Sequence, residues 1–191
     1  MEPVILNTAR LELRMPTGAD AEEITEACQD PEIPRWTVVP SPYGPEDAQQ
    51  FIALVAKWWA SGEETTWAIR HNEKLVGMIG LHNIVGNVEG GQAEVGFWIA
   101  SHARGTGYAA EAVGAVIDWG FAELGLARIE WRAAAGNIAS ARTARSLGFR
   151  YEGVLRHGHA TPRGRADAWI AGLLKTDDRF PSPWPVIDDT E

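Results

Sequence analysis

The chain has 191 residues, a formal net charge of -9, 45% hydrophobic and 23% charged residues, a composition suited to one globular domain with its own core. The acidic balance argues against a general nucleic-acid or anionic-membrane binder, since either carries a basic footprint; it suits a cationic small molecule or a basic peptide. The lone Cys28 cannot form an internal disulfide, no Cys/His cluster has zinc spacing, no basic-then-apolar leader is present, and no apolar run approaches the ~20 residues of a membrane helix. A cytoplasmic protein without a metal or a membrane partner is therefore expected.

In chain order, residues 5–15 set Leu11, Leu13 and Met15 against Arg10, Glu12 and Arg14, the alternation of a half-buried strand. Pro16 and Gly18 end it, and Asp20 can cap a helix reaching about Gln29. From Pro31 to Pro45 the chain carries five prolines with Trp36 and Tyr43 among them, which predicts a stiff aromatic loop, either a connector or a wall over a substrate site. Helical spacing follows from Pro45, with Phe51, Leu54, Val55 and Trp58 on one face and Gly62 as the stop.

Thr66–Arg70 and Leu75–Leu81 read as a hairpin through His71–Lys74; 86–91 is a polar turn and Gln92–Ala100 a third strand, giving an antiparallel meander. A helix is predicted over Gly107–Leu124, a strand over Arg128–Ala135, a short helix from Asn137 to Leu147 stopped by Gly148, and two closing strands over Phe149–Leu155 and Asp167–Leu174. The chain then divides into a domain over 1–175 and a proline-rich, acidic tail over 176–191, expected to be partly extended or disordered.

The stretch from Ala93 to Val113 carries the first chemical signal. An apolar strand ends in Arg104-Gly105-Thr106-Gly107, which opens directly into a helix. Such a junction aims unpaired backbone N–H groups and the positive end of a helix dipole at one point, as a phosphate site requires, although a glycine pair is also an ordinary turn.

Three blocks together resemble the GNAT acyltransferase superfamily, in the branch named for the ribosomal-protein N-terminal acetyltransferases RimJ and RimL. They are Thr8-Ala9-Arg10-Leu11-x-Leu13-Arg14; Glu94-Val95-Gly96-Phe97-Trp98-Ile99 with Gly105-Thr106-Gly107-Tyr108-Ala109 and Glu111-Ala112; and Asn137-x-x-Ser140 with Leu147-Gly148-Phe149-x-x-Glu152-Gly153. The resemblance runs from about Thr8 to Leu174 and implies an α/β (α+β) GNAT fold. In that fold a mixed, mostly antiparallel central sheet is flanked by helices and splayed at the strand carrying Glu94 to Ile99. His102 stands where the family pattern has Gln or Arg. The implied ligand is acetyl-CoA, with its pyrophosphate on the amides of Arg104 to Ala109 and its pantetheine arm along Phe97, Trp98 and Ile99. Asn137 would meet the arm from the other side, and Arg104 would substitute for the missing residue at 102. The family includes dimers, so a homodimer is compatible with the resemblance, but no interface is marked.

Acetyl transfer from a thioester to an amine needs a neutral amine, a donor for the developing oxyanion and a proton for the thiolate. If Val95, Phe97 and Ile99 face one side of their strand, Glu94 and Trp98 share the other, and a glutamate shielded from water suits base work. Glu94 is the leading base, directly or through a water, with a histidine as an alternative; it would otherwise be a strand glutamate paired with a neighbouring arginine. The tyrosine that many relatives carry seven residues after the helix-starting asparagine is Ala144 here, leaving Ser140 to protonate or hydrogen-bond the sulfur. Asn137 and Ser140 are also ordinary first-turn residues.

His157 and His159 alternate on one strand as rim histidines, a metal pair or a second base. Trp36, Tyr43, Trp58 and Trp59 are acceptor-wall or core candidates, with Trp36, Tyr43 and Glu94 taken as substrate-binding. The expected activity is N-acetyltransfer to a primary amine, a protein N-terminus or a small molecule. A non-catalytic acyl-CoA sensor is the rival.

Overall fold

The computed structural model describes residues 1–86, 90–162 and 164–188. Its eight strands form one sheet in the order β1-β2-β3-β4-β5-β6-β8-β7. The expected opening strand is two short pieces, β1 (Leu6–Asn7) and β2 (Glu12–Arg14), antiparallel with Leu6 opposite Leu13. The chain reverses between them because the Thr8 hydroxyl accepts from the Leu11 amide at 2.9 Å. β3 (Thr65–His71), β4 (Lys74–Val85) and β5 (Gly91–Ile99) form the expected meander, turning at Asn72-Glu73 with φ of 47° and 65°. Much of the polar turn read over 86–91 lies outside the described residues.

β6 (Leu126–Ala134) then joins β5 in parallel, and β7 (Arg150–Thr161) and β8 (Gly164–Leu174) close the sheet as a long hairpin. Both closing strands outrun their expected ends at Leu155 and Asp167, because pairing continues out to Thr161 and Gly164.

α1 (Ala21–Ala27) and α3 (Pro45–Ser61) follow the sequence closely. The Asp47 carboxylate accepts from the Gly44 amide at 2.7 Å, and Pro45, whose N–H would be spare there anyway, starts the α3 helix. Its buried stripe is Ala48, Val55 and Trp59, with Leu54 turned outward at 41% exposure. The proline-rich segment is not wholly a loop. Glu32–Trp36 is a short helix, α2, since Pro31 and Pro34 fall in the first turn, where no intrahelical N–H bond is lost.

One sheet face packs on α4 (Tyr108–Ala122), α5 (Ile138–Ser146) and α6 (Pro185–Asp188). Trp59, Trp67 and Trp119 meet there, with ring centroids 5.0 Å apart for the first two and 5.2 Å for Trp67 and Trp119. On the other face a smaller core of Ile24, Cys28, Ile33, Tyr43, Ala48, Ala68, Leu75 and Met78 joins α1, α2 and α3 to the sheet. The segment expected to be a loose tail instead delivers Trp184 and Ile187, both fully buried, to the first core. The Trp184 indole donates to the Phe149 carbonyl at 3.1 Å and lies 5.5 Å from Trp131. Among the described residues no helix is long and apolar enough to cross a membrane.

Candidate active site

The sheet opens at one place. β5 pairs with β4 as far as Ile99 opposite Gly77, but its parallel pairing with β6 ends at Val95 opposite Trp131. Beyond Val95, Phe97, Trp98 and Ile99 keep a strand partner on one edge only; on the other edge Arg104 takes the Ile99 carbonyl, and the main-chain groups of Phe97 face a gap. Trp98 packs towards the smaller core and Phe97 and Ile99 towards the larger, the alternation expected of them.

At the end of β5 the chain passes through a short turn, Ser101–Ala103, into the glycine loop. Gly105 and Gly107 have φ of 76° and 83°, a left-handed geometry that favours glycine, and Gly107 caps α4. The Tyr108 amide makes only a long, 3.4 Å contact with the Thr106 hydroxyl, and the amides of a helix's first turn have no intrahelical acceptor, so they point out of the α4 start beside the loop. A diphosphate fits this cradle chemically. Arg104 is directed elsewhere: its guanidinium reaches Asp30 at 2.6 Å and the Ile99 carbonyl at 3.1 Å, tying the loop to the start of α2. His102 is exposed beside it.

The opening block of the chain is the loop's support. Glu111, in the first turn of α4, accepts from the Thr8 hydroxyl at 2.5 Å, the Arg10 amide at 3.0 Å and the Arg10 Nε at 2.7 Å. The same guanidinium donates to the Thr106 carbonyl at 3.0 Å and lies 4.7 Å from the centroid of the Tyr108 ring. The sequence contained both blocks but not their contact, since about a hundred residues separate them.

Glu94 lies on the sheet face opposite α4, directly across from His82 on β4 and Glu130 on β6. Burial pushes its carboxyl above the ordinary range, opposed by Arg132 and His82 and reinforced by Glu130. The Arg132 Nε stands 3.7 Å from Glu94, too far for a hydrogen bond, while it bonds Glu130 at 2.8 Å. Glu94 thus has an arginine neighbour without a hydrogen bond to it, and the Asn83 side chain donates to its carboxylate. Trp98, four residues on, is not its immediate neighbour; His82 is.

Across the gap, Asn137 caps α5, its side-chain oxygen accepting from the Ser140 amide at 3.2 Å. The Ser140 hydroxyl accepts from the Trp131 indole at 3.0 Å. Because an indole N–H can only donate, the serine's own proton is left for another acceptor. Trp36 reaches over from α2, held by a bond to Glu32 at 2.9 Å, with its ring about van der Waals distance from a side chain grafted at Gly136.

Tyr43 and Trp59 belong to the cores, not to an open wall, and Trp58 is partly buried against the larger core; burial pushes the Tyr43 phenol up. His157 and His159 do not alternate regularly, since the β7–β8 register shifts between Leu155 and His159 and His157 has φ 51°. His157 is exposed; His159 is half-buried near Trp36, and burial pulls its imidazole down against the Trp36 carbonyl. Among the described residues no group of three His, Cys, Asp or Glu could hold a metal.

A strand splayed beside a glycine loop that starts a helix, with a serine-bearing helix opposite, is the architecture of the GNAT fold. The acetyltransferase (GNAT) domain family matches residues 10–150, and the chain belongs to it. The uncharacterized N-acetyltransferase YoaA of Bacillus subtilis (strain 168) is 34% identical over 154 residues, 80% of this chain and 86% of that protein. Mycobacterium smegmatis RimJ in complex with CoA-disulfide superposes with a TM-score of 0.83 at 20% identity, covering 92% of this chain and 90% of that one. Ribosomal-protein-S5-alanine acetyltransferase from Vibrio fischeri gives 0.79 at 22% identity, covering 93% of this chain and all of that one. At these identities the two structures speak for the fold. The protein is an acetyltransferase, and the donor of its family is acetyl-CoA.

Proposed function

We propose that the protein moves the acetyl group of acetyl-CoA to a primary amine by direct attack in a ternary complex, with a protein N-terminus as the acceptor class and small amines second. The observation that carries this reading is the continuity of the one-edged strand Phe97–Ile99 with the loop Gly105–Gly107, beside a carboxylate on the open face. Acetyl-CoA, when bound, supplies an acetyl thioester already activated for transfer. The amides of Gly105 to Ala109 would hold its diphosphate, and the free edge of Phe97 to Ile99, with Asn137 opposite, would take its arm. Glu94 accepts a proton from the nitrogen, its raised pKa bringing it nearer that task. The Ser140 hydroxyl, already accepting from Trp131, donates to the sulfur.

An acidic protein suits an ammonium-bearing acceptor. The likeness of the sequence blocks at Thr8–Arg14, Glu94–Ala112 and Asn137–Gly153 to the branch named for ribosomal-protein N-terminal acetyltransferases supports the choice of a protein N-terminus. The test is incubation with labelled acetyl-CoA and a panel of peptides with free N-termini and small amines, reading thiol release and labelled product. Thermal protection by CoA without acetylation of any amine would instead favour a sensor.

A further inference from the structure

We propose that His82, oriented by Glu64, is a second proton acceptor at the acceptor nitrogen, working beside Glu94; this rests on the transferase reading above. His82 Nδ1 lies 2.8 Å from Glu64 Oε2, on the segment just ahead of β3. A carboxylate at Nδ1 holds the neutral imidazole with its proton on that nitrogen, leaving the Nε2 lone pair free. The direction of that lone pair is set by the sheet. A Cβ placed on Gly96 would lie 3.0 Å from Nε2, and one on Gly80 would lie 3.0 Å from Cε1. The ring therefore occupies a slot that two glycines leave in the strands. Nε2 sits over Gly96, the last residue before the one-edged Phe97–Ile99, whereas Glu94 is one cross-strand pair further from the gap.

The chemistry has use for both. The acceptor arrives as an ammonium, and in forming the amide its nitrogen sheds two protons. One must leave before attack, to expose the lone pair. The second leaves as the N–C bond forms and the C–S bond breaks. The departing sulfur takes one proton, and the other goes to solvent. His82, a third exposed, takes the first proton and passes it out; Glu94, more enclosed, takes the second. Among the described residues, the charged groups facing the pair are Glu64 ahead of β3, Glu94 on β5, and Glu130 and Arg132 on β6. The carboxylates among them draw in a cation.

The experiment compares wild type, His82→Gln, Glu64→Gln and Glu94→Gln on an accepted peptide, as kcat/KM against pH. His82→Gln should lose roughly 10²-fold or more near neutrality, and the loss should shrink as pH rises past the amine pKa of ~8, where the ammonium has already deprotonated. The Glu94→Gln deficit should persist there. Glu64→Gln keeps an oxygen for Nδ1 but removes the charge, so it should lower kcat/KM near neutrality by less than His82→Gln does. Nitrogen NMR of the unliganded protein should show neutral His82 protonated at Nδ1, which checks the dyad apart from activity. A His82→Gln enzyme with wild-type kcat/KM, or a deficit constant with pH, overturns the proposal while leaving the transferase reading intact. A wild type that acetylates no amine overturns both.

Discussion

Replacing Glu111 by glutamine removes the charge that joins the start of the chain to the diphosphate cradle. The carboxylate accepts from the Thr8 hydroxyl, the Arg10 amide and the Arg10 guanidinium, and that guanidinium in turn holds the Thr106 carbonyl. A charged hydrogen bond contributes about 1.5–3 kcal/mol in a shielded site. Arg10 is 45% exposed and Glu111 18%, so solvent screening lowers the expected contribution to about 1–2 kcal/mol. Glutamine keeps one acceptor oxygen but cannot engage the fork from both sides. If this energy is what keeps the loop ordered before binding, CoA must supply it in the variant, and its Kd rises about 5- to 30-fold.

Calorimetric titration of CoA into wild type and Glu111→Gln measures this directly. A Kd within about twofold of wild type would refute the cradle argument. The pH dependence offers a second reading. Burial would raise the Glu111 pKa, but the Thr8 and Arg10 contacts outweigh it and hold the carboxyl below its ordinary value. A lowered folded-state pKa gives stability that is present above the unfolded value of ~4.3 and lost as pH falls through the folded one. The Tm gap between wild type and variant should therefore be full at neutral pH and close in acid.

Three further outcomes are expected. Ser140→Ala should lower kcat at neutral pH with KM for acetyl-CoA little changed, and the deficit should narrow as pH passes the thiol pKa of ~8.5; a pH-independent deficit would argue for a packing role. Trp184→Ala removes a fully buried indole and its bond to Phe149, and should cost about 3–5 kcal/mol in urea denaturation; a loss below about 1 kcal/mol would show that the tail only rests on the core. Asp20, 1% exposed, accepts from Arg14 at 2.8 and 2.9 Å and from Arg70 at 2.6 Å. Asp20→Asn should cost about 3–5 kcal/mol at neutral pH. Desolvation would raise the Asp20 pKa, but Arg14 and Thr17 hold it down, so this contribution should fade as pH drops below ~3.9.

Local signals in the sequence carried far. Pro45 and Gly62 bracketed α3, the glycine loop announced α4, and alternation placed Glu94 and Trp98 on one face of β5. What escaped was long-range or positional. Glu32–Trp36 was hidden because prolines discourage helices in general, yet not in a first turn. The tail looked disordered by composition, while one tryptophan with a fitting slot was enough to dock it. The candidate site was legible as a glycine loop and a strand carboxylate, but not as a network. His82 meets Glu94 only through the β4–β5 register, Trp131 meets Ser140 only when β6 lies beside α5, and Arg104 turns to Asp30, away from the loop it was expected to serve. A hairpin register worked out from the Gly80–Gly96 pairing would have found His82.

The burial of Trp184 couples the segment after β8 to the candidate site. Its indole donates to the Phe149 carbonyl and lies against Trp131, whose own N–H holds the hydroxyl of Ser140. The glycine loop at Gly105 to Gly107 is braced from the opposite side, by Thr8 and Arg10 through Glu111. The two halves of the candidate site are thus held by different ends of the fold, and damage to one should leave the other in place.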